Sequence, residues 1–171
     1  MTPKGIAPWS HALTLSYRRG PAARDQFSGI RVQRSIAGPS GFAFEQLNDG
    51  TWRVPAGTRV IITLRFECHT PSFDVLINSP FPAGMAPVNA GLGGQTFAGK
   101  GGVKAPFADF VTQVKGAMTA FARRLDPGTH EFVYTADTLT PGDFLWPEAT
   151  VEDRESPGVF GRTRANRVLI E

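Results

Sequence analysis

Residues 93–102 read GGQTFAGKGG, and Gly94, Gly99 and Lys100 stand at the spacing of a phosphate-binding loop. Such a loop works because glycines let backbone N–H groups close around the phosphates while the lysine reaches the outer ones. A Ser or Thr after the lysine then holds magnesium at the start of a helix. Here Gly101 takes the Ser/Thr position, and APVNAGLG precedes the stretch where a buried strand is needed. Gly101-Gly102 and Pro106 follow where a helix must begin. The expectation is a glycine-rich surface loop over about 89–106, and a nucleotide-dependent enzyme built on Gly94 to Lys100 is set aside.

Cys68 and His69 are neighbours that resemble a nucleophile and its base. They fall in VIITLRFECHT (Val60 to Thr70), where Val60, Ile62, Leu64, Phe66 and Cys68 alternate with Ile61, Thr63, Arg65, Glu67 and His69. Alternate residues of a strand point to opposite faces. Cys68 is therefore expected inside, as a small hydrophobe, and His69 on the polar side. His11, His69 and His130 are far apart, with no HxH, HExxH or CxxC spacing to hold a metal. Ser10-His11 and His130-Glu131 have no indicated third partner, and no GxSxG elbow occurs. Glu152, Asp153 and Glu155 place three acids in four positions and read as a charged loop. No active site assembles from these residues, so no catalytic residue, cofactor or metal is assigned.

The elements that carry these residues read as strands. A chain of 171 residues suits one domain, taken here as 1–171, and is long enough to bury a core without disulfides or metals. Its 19 glycines and 14 prolines are scattered rather than repeated, as many turns between short strands require. The single cysteine excludes an intrachain disulfide. MTPKGIAPWS contains no apolar run, so no signal peptide is read in this chain, and no stretch approaches the length of a membrane helix. The net charge of +3 is mild. Arg18-Arg19, Arg123-Arg124, and Arg162, Arg164 and Arg167 read as solvated strand faces, without the aromatic interleaving of a nucleic-acid surface.

Further strands are expected at Ala12 to Arg18, Gly29 to Ile36, Phe73 to Ser79, His130 to Thr138, Gly142 to Pro147 and in the final RVLIE. The turns between them are read at Gly38-Pro39, Asn48-Asp49-Gly50, Pro71-Ser72, Asp126-Pro127-Gly128 and Thr140-Pro141-Gly142. In FADFVTQVKGAMTAFARRL, Phe107, Phe110, Val111, Val114, Met118 and Phe121 recur at helical spacing. Gly116 in the middle argues against a helix, and the alternative is a hairpin turning near Lys115-Gly116.

Three segments carry a family resemblance: SPFPAGMAPVN (Ser79 to Asn89), LDPGTHEFVYTADTLTPGDFLWPEATVED (Leu125 to Asp153) and SPGVFGRT (Ser156 to Thr163). In order and spacing they resemble the C-terminal domain of bacterial-type alpha-2-macroglobulins. GTRVIITLRFEC resembles the strand before the first motif, and WSHALTLSYR more weakly resembles the first strand. The resemblance implies an antiparallel immunoglobulin-like β-sandwich with Ile62, Leu64, Phe66, Cys68, Phe132 and Tyr134 in its core. It also implies a hairpin, not a helix, at FVTQVKGAMTAFA.

For function the resemblance implies a non-catalytic domain of a protease trap, with protease inhibition arising in the whole molecule. The expected partners are other domains of a larger macroglobulin chain and, indirectly, proteases. The family setting is extracytoplasmic. The thioester signature Cys-x-Glu-Gln is absent, since Cys68 is followed by His-Thr-Pro. Where thioester-bearing members have a Met-Tyr pair, this chain has Arg154-Glu155, and a charged pair cannot form the same apolar lid. Any lock therefore works differently here, or the parent lacks a thioester. Glu152, Asp153, Arg154, Glu155 and Phe160 are the expected interdomain contact residues, on a loop continuing through Pro157-Gly158-Val159. The rival reading is a stand-alone β-sandwich binding module that uses the glycine-rich loop for its ligand.

Overall fold

In the computed structural model, residues 20–21, 24–88 and 103–171 are described. They form fifteen strands and one short 3-10 turn at Pro39–Gly41. The strand expected at Ala12 to Arg18 and the Gly94 to Lys100 stretch lie outside the described residues.

Two sheets form the sandwich. The first has six strands in the order β1 (Gln26–Ser28), β14 (Phe160–Arg162), β13 (Thr150–Asp153), β6 (Ser72–Pro80), β10 (Ala117–Leu125) and β9 (Phe110–Val114). The second runs β2 (Ile30–Ala37), β5 (Arg59–Cys68), β11 (Gly128–Thr138) and β7 (Met85–Pro87), with β8 (Val103–Lys104) also on β11. Every pairing within these two sheets is antiparallel. A third, smaller sheet was not anticipated. It orders β12 (Gly142–Trp146), β15 (Asn166–Ile170), β4 (Trp52–Val54) and β3 (Glu45–Gln46), and its β15–β4 pairing is parallel.

The alternation in β5 does what its spacing requires. Val60, Ile62, Leu64, Phe66 and Cys68 are buried, while Arg65 and Glu67 are exposed. Phe132 and Tyr134 of β11 lie beside Leu64 and Ile62 in register, so all six expected core residues are buried together. The six-stranded sheet answers with Val75, Ile77, Met118, Ala120 and Val151. At one point the two layers meet backbone to backbone. A Cβ on Gly161 of β14 would fall within 2.4 Å of the Ile30 carbonyl oxygen of β2. A side chain there would push the sheets apart.

The helical spacing of 107–121 is overridden. Phe110–Val114 and Ala117–Leu125 form a hairpin with Val114 opposite Ala117. Gly116 takes φ +80°, which a residue with a Cβ rarely adopts. The tertiary reason is β6, which offers an open edge along the whole of β10. Ser72, expected in a break, is instead the first residue of β6, paired with Leu125. The glycine-rich loop also ends earlier than 106, because Val103–Lys104 adds to β11 opposite Val133 and Tyr134.

Gly161→Ala should lower stability by about 3 kcal/mol, since the backbone it meets cannot move aside. Gly116→Ala, at a positive φ but in open space, should cost about 1 kcal/mol. Urea unfolding midpoints of the two variants measure the difference, and equal midpoints would disprove the close approach of β14 and β2.

Candidate interdomain contact site

The expected contact residues gather at the corner between β13 and β14. Glu152 and Asp153 do not belong to a charged loop; they end strand β13, and Phe160 opens β14, so the loop itself is 154–159. The correction has a packing cause. Val151 and Asp153 point inward on the strand, and Asp153 is only 4% exposed.

A buried carboxylate needs hydrogen bonds to stay. Asp153 Oδ2 accepts from the Phe73 N–H at 3.1 Å, and Oδ1 accepts from the Ser156 N–H at 2.8 Å. The Asp153 N–H donates to the Val159 carbonyl at 3.1 Å, and the Val159 N–H donates to the Ser156 carbonyl at 2.8 Å. The loop is thus closed on itself and stapled to the start of β6. Asp74, just after that start, has φ 48°, in the left-handed region that Asp tolerates better than most residues. Asp153 therefore positions the corner, while Arg154 and Glu155 stand exposed on it.

Glu152 faces the other side of the sheet. Its carboxylate lies 3.7 Å from the Arg162 guanidinium, with side-chain exposures of 46% and 15%. Arg162 was expected on a solvated face, and it is mostly buried instead. Its Nε has no hydrogen-bond partner among the described residues. Sequence reasoning missed this residue; the signal available was its place two residues after Phe160 in a β-alternating segment. Glu152, Asp153, Arg154, Pro157, Phe160 and Arg162 line a concavity of about 410 Å³. A second, more polar groove of about 480 Å³ runs along β2, with Asp25, Arg34, Trp52, Arg65, Glu131 and Arg164 among its lining residues.

The groups that could do chemistry are otherwise occupied. Cys68 is a free, buried thiol, and burial pushes its pKa up to about 11, helped by the charges of Asp153 and Glu67. It stays a thiol at neutral pH and is a poor nucleophile. His69 is exposed. His130 stacks on Phe66 with ring centres 5.6 Å apart, and its Nε2 lies 2.8 Å from the Asp126 carbonyl oxygen. Among the described residues no group of three His, Cys, Asp or Glu side chains could hold a metal ion. None of their helices is long and apolar enough to cross a membrane.

Two packed antiparallel sheets around one core, with a stapled corner and a buried thiol, make this a β-sandwich domain. A family model of the bacterial alpha-2-macroglobulin MG10 domain matches residues 29–157, and the chain belongs to that family. Over 166 residues it is 25% identical to an alpha-2-macroglobulin homolog from Nostoc sp., covering 94% of this chain and 9% of that protein. It is also 24% identical over 151 residues to circularly permutated Ras protein 2 of Dictyostelium discoideum, covering 87% of this chain and 4% of that one. The chain therefore spans less than a tenth of the curated relatives it matches. Among solved structures, native Escherichia coli alpha-2-macroglobulin from domain MG7 to the C-terminus superposes with a TM-score of 0.69. The identity is 18%, over 88% of this chain and 25% of that one. Salmonella alpha-2-macroglobulin reacted with methylamine gives 0.67 at 15% identity, over 87% of this chain and 10% of that one. Likeness at these identities shows the shared fold.

Asp153→Ala should cost about 2 kcal/mol, because it strands the Phe73 and Ser156 N–H groups. It should also speed proteolytic nicking within 154–159 at unchanged cleavage elsewhere, read by limited proteolysis and mass spectrometry. Cys68 should resist iodoacetamide at pH 8 in the folded chain and react fully in 6 M guanidinium. Rapid labelling of the native chain would mean the thiol is not buried as described.

Proposed function

We propose that this chain is a non-catalytic closing domain of an alpha-2-macroglobulin-like protease trap, and that it contacts neighbouring domains through the β13–β14 corner. The observation that carries the reading is the Asp153 staple. A loop whose first turn is held by a buried carboxylate, and whose ends are joined by the Asp153–Val159 backbone bond, presents Arg154 and Glu155 from a defined backbone near Phe160. Preorganised display of a few side chains lowers the ordering cost of docking. Family membership supports the setting, because the domain occurs in the curated relatives as a small part of a much longer chain.

In this reading Arg154, Glu155, Glu152 and Phe160 touch the partner domain, while Asp153 acts from behind by holding the loop. A charged pair at 154–155 makes the contact polar and salt-sensitive, unlike an apolar lid over a reactive bond. Protease inhibition belongs to the whole trap, and its setting is extracytoplasmic.

The native mass of the protein carrying this sequence tests the reading. An antibody raised against the domain should detect, in source-cell extract, a band several-fold above 18.5 kDa that shortens when a protease is added. In that larger protein, Arg154→Ala with Phe160→Ala should loosen the domain, seen as faster proteolytic release of it. A band at 18.5 kDa would instead establish a stand-alone module and remove the trap.

A further inference from the structure

Residues directly opposite one another in a sheet share a face. In the six-stranded sheet the registers join Phe110, Phe121, Leu76, Glu152 and Phe160 in a single row from β9 to β14. The adjacent row, Val111, Ala120, Ile77, Val151 and Gly161, points into the sandwich. The first row therefore points away from it. Four of its five members are apolar; Phe110 is 45% exposed, and Phe121, Leu76 and Phe160 are half-buried. The outward face of β5, with Arg65 and Glu67, shows what a solvated sheet face looks like in the same chain.

The next outward row is Thr112, Thr119, Asn78, Thr150 and Arg162. It ends on the guanidinium whose Nε has no partner among the described residues. An apolar band three strands wide, from Phe110 through Phe121 to Leu76, is costly for a surface left in water. It suits a surface that a partner covers.

We propose that this outer face, centred on Phe121 and Leu76, is a docking surface for another domain of the same longer chain. That domain presents an apolar patch to Phe110, Phe121 and Leu76. The choice of partner follows from the length of the relatives, in which this domain is under a tenth of the chain. The inference rests on the proposed function and extends the contact from the β13–β14 corner across β6, β10 and β9.

Hydroxyl-radical footprinting tests it, comparing the protein immunopurified from source cells with the 171-residue chain. Phe42, 68% exposed and at the 3-10 turn, is the internal reference. Phe110 and Phe121 should be labelled several-fold less in the source protein, with Phe42 unchanged. Equal labelling of Phe110 and Phe121 in both preparations, high or low, overturns the inference. If low, the cover lies within the 171 residues or in a second copy. Protection of Phe160 alone leaves the corner contact standing and rejects the sheet face. Protection of Phe110 and Phe121 without Phe160 supports the face and rejects the corner. A source protein of 18.5 kDa removes both.

Discussion

Three sheets meet on one indole. Trp146, at the end of β12, is fully buried, and its Nε1–H donates to the Pro80 carbonyl of β6 at 2.9 Å. Its other face lies under the Arg34 guanidinium of β2, 3.9 Å from the ring centre. Arg34 also donates to the Pro147 carbonyl at 2.5 Å and more weakly to the Trp146 carbonyl at 3.4 Å. A single side chain thus ties the small sheet to both layers of the sandwich. Burial pulls the Arg34 pKa down to about 10, partly offset by the favourable charges of Glu148 and Asp25, so the group is still a cation at neutral pH. Its charge is met by carbonyl oxygens and an aromatic face rather than by a carboxylate, the kind of site a guanidinium fills and an ammonium does not.

The clamp explains why β13 and β14 sit where they do. Chain leaving Trp146 runs through Pro147 and Ala149 directly into β13, with the Ala149 N–H donating to Thr163 Oγ1 at 3.0 Å and the Thr163 N–H to the Ala149 carbonyl at 3.0 Å. Those bonds close the β13–β14 hairpin from below, as Asp153 closes it from above. Gly161 then lets β14 rest on the β2 backbone. The base of the corner loop is anchored at three places: by the Ala149–Thr163 bonds, at Gly161 and by Asp153. A second polar bond across the layers, between the Tyr134 and Ser79 hydroxyls at 2.9 Å, adds to the specificity of the packing. Burial pushes the Tyr134 hydroxyl up to about pKa 12, so it stays a neutral partner.

Among the described residues the Cys68 thiol is hidden, and exposed ion pairs such as Arg59 with Asp137 and Arg167 with Asp143 are solvent-facing contacts of small energetic weight. Among the described residues, the features without an internal purpose are the exposed Arg154-Glu155 pair on the corner loop and the apolar row through Phe121 and Leu76. One lies at the edge and the other on the outer face of the six-stranded sheet, and a single partner can use both.

Local pattern alone determined a good deal. Period-two alternation in Val60 to Cys68 specified both the strand and its buried face, because side-chain direction depends on nothing beyond the backbone pleat. Glycines at 50, 116 and 142 marked reversals through their need for positive φ. The turn-and-strand signatures of the second half carried the family. What the tertiary structure decided are facts of register and neighbourhood. The helical spacing of 107–121 gave way because β6 had an edge to pair. The parallel β15–β4 pairing joins residues more than a hundred positions apart. Asp153 looked like one acid among three until packing turned it inward onto Phe73. Arg162 looked like one arginine among several until the row across five strands showed which face it shares. Alternation tells which residues lie together on a face of one strand, but only the pairing of strands tells what that face becomes.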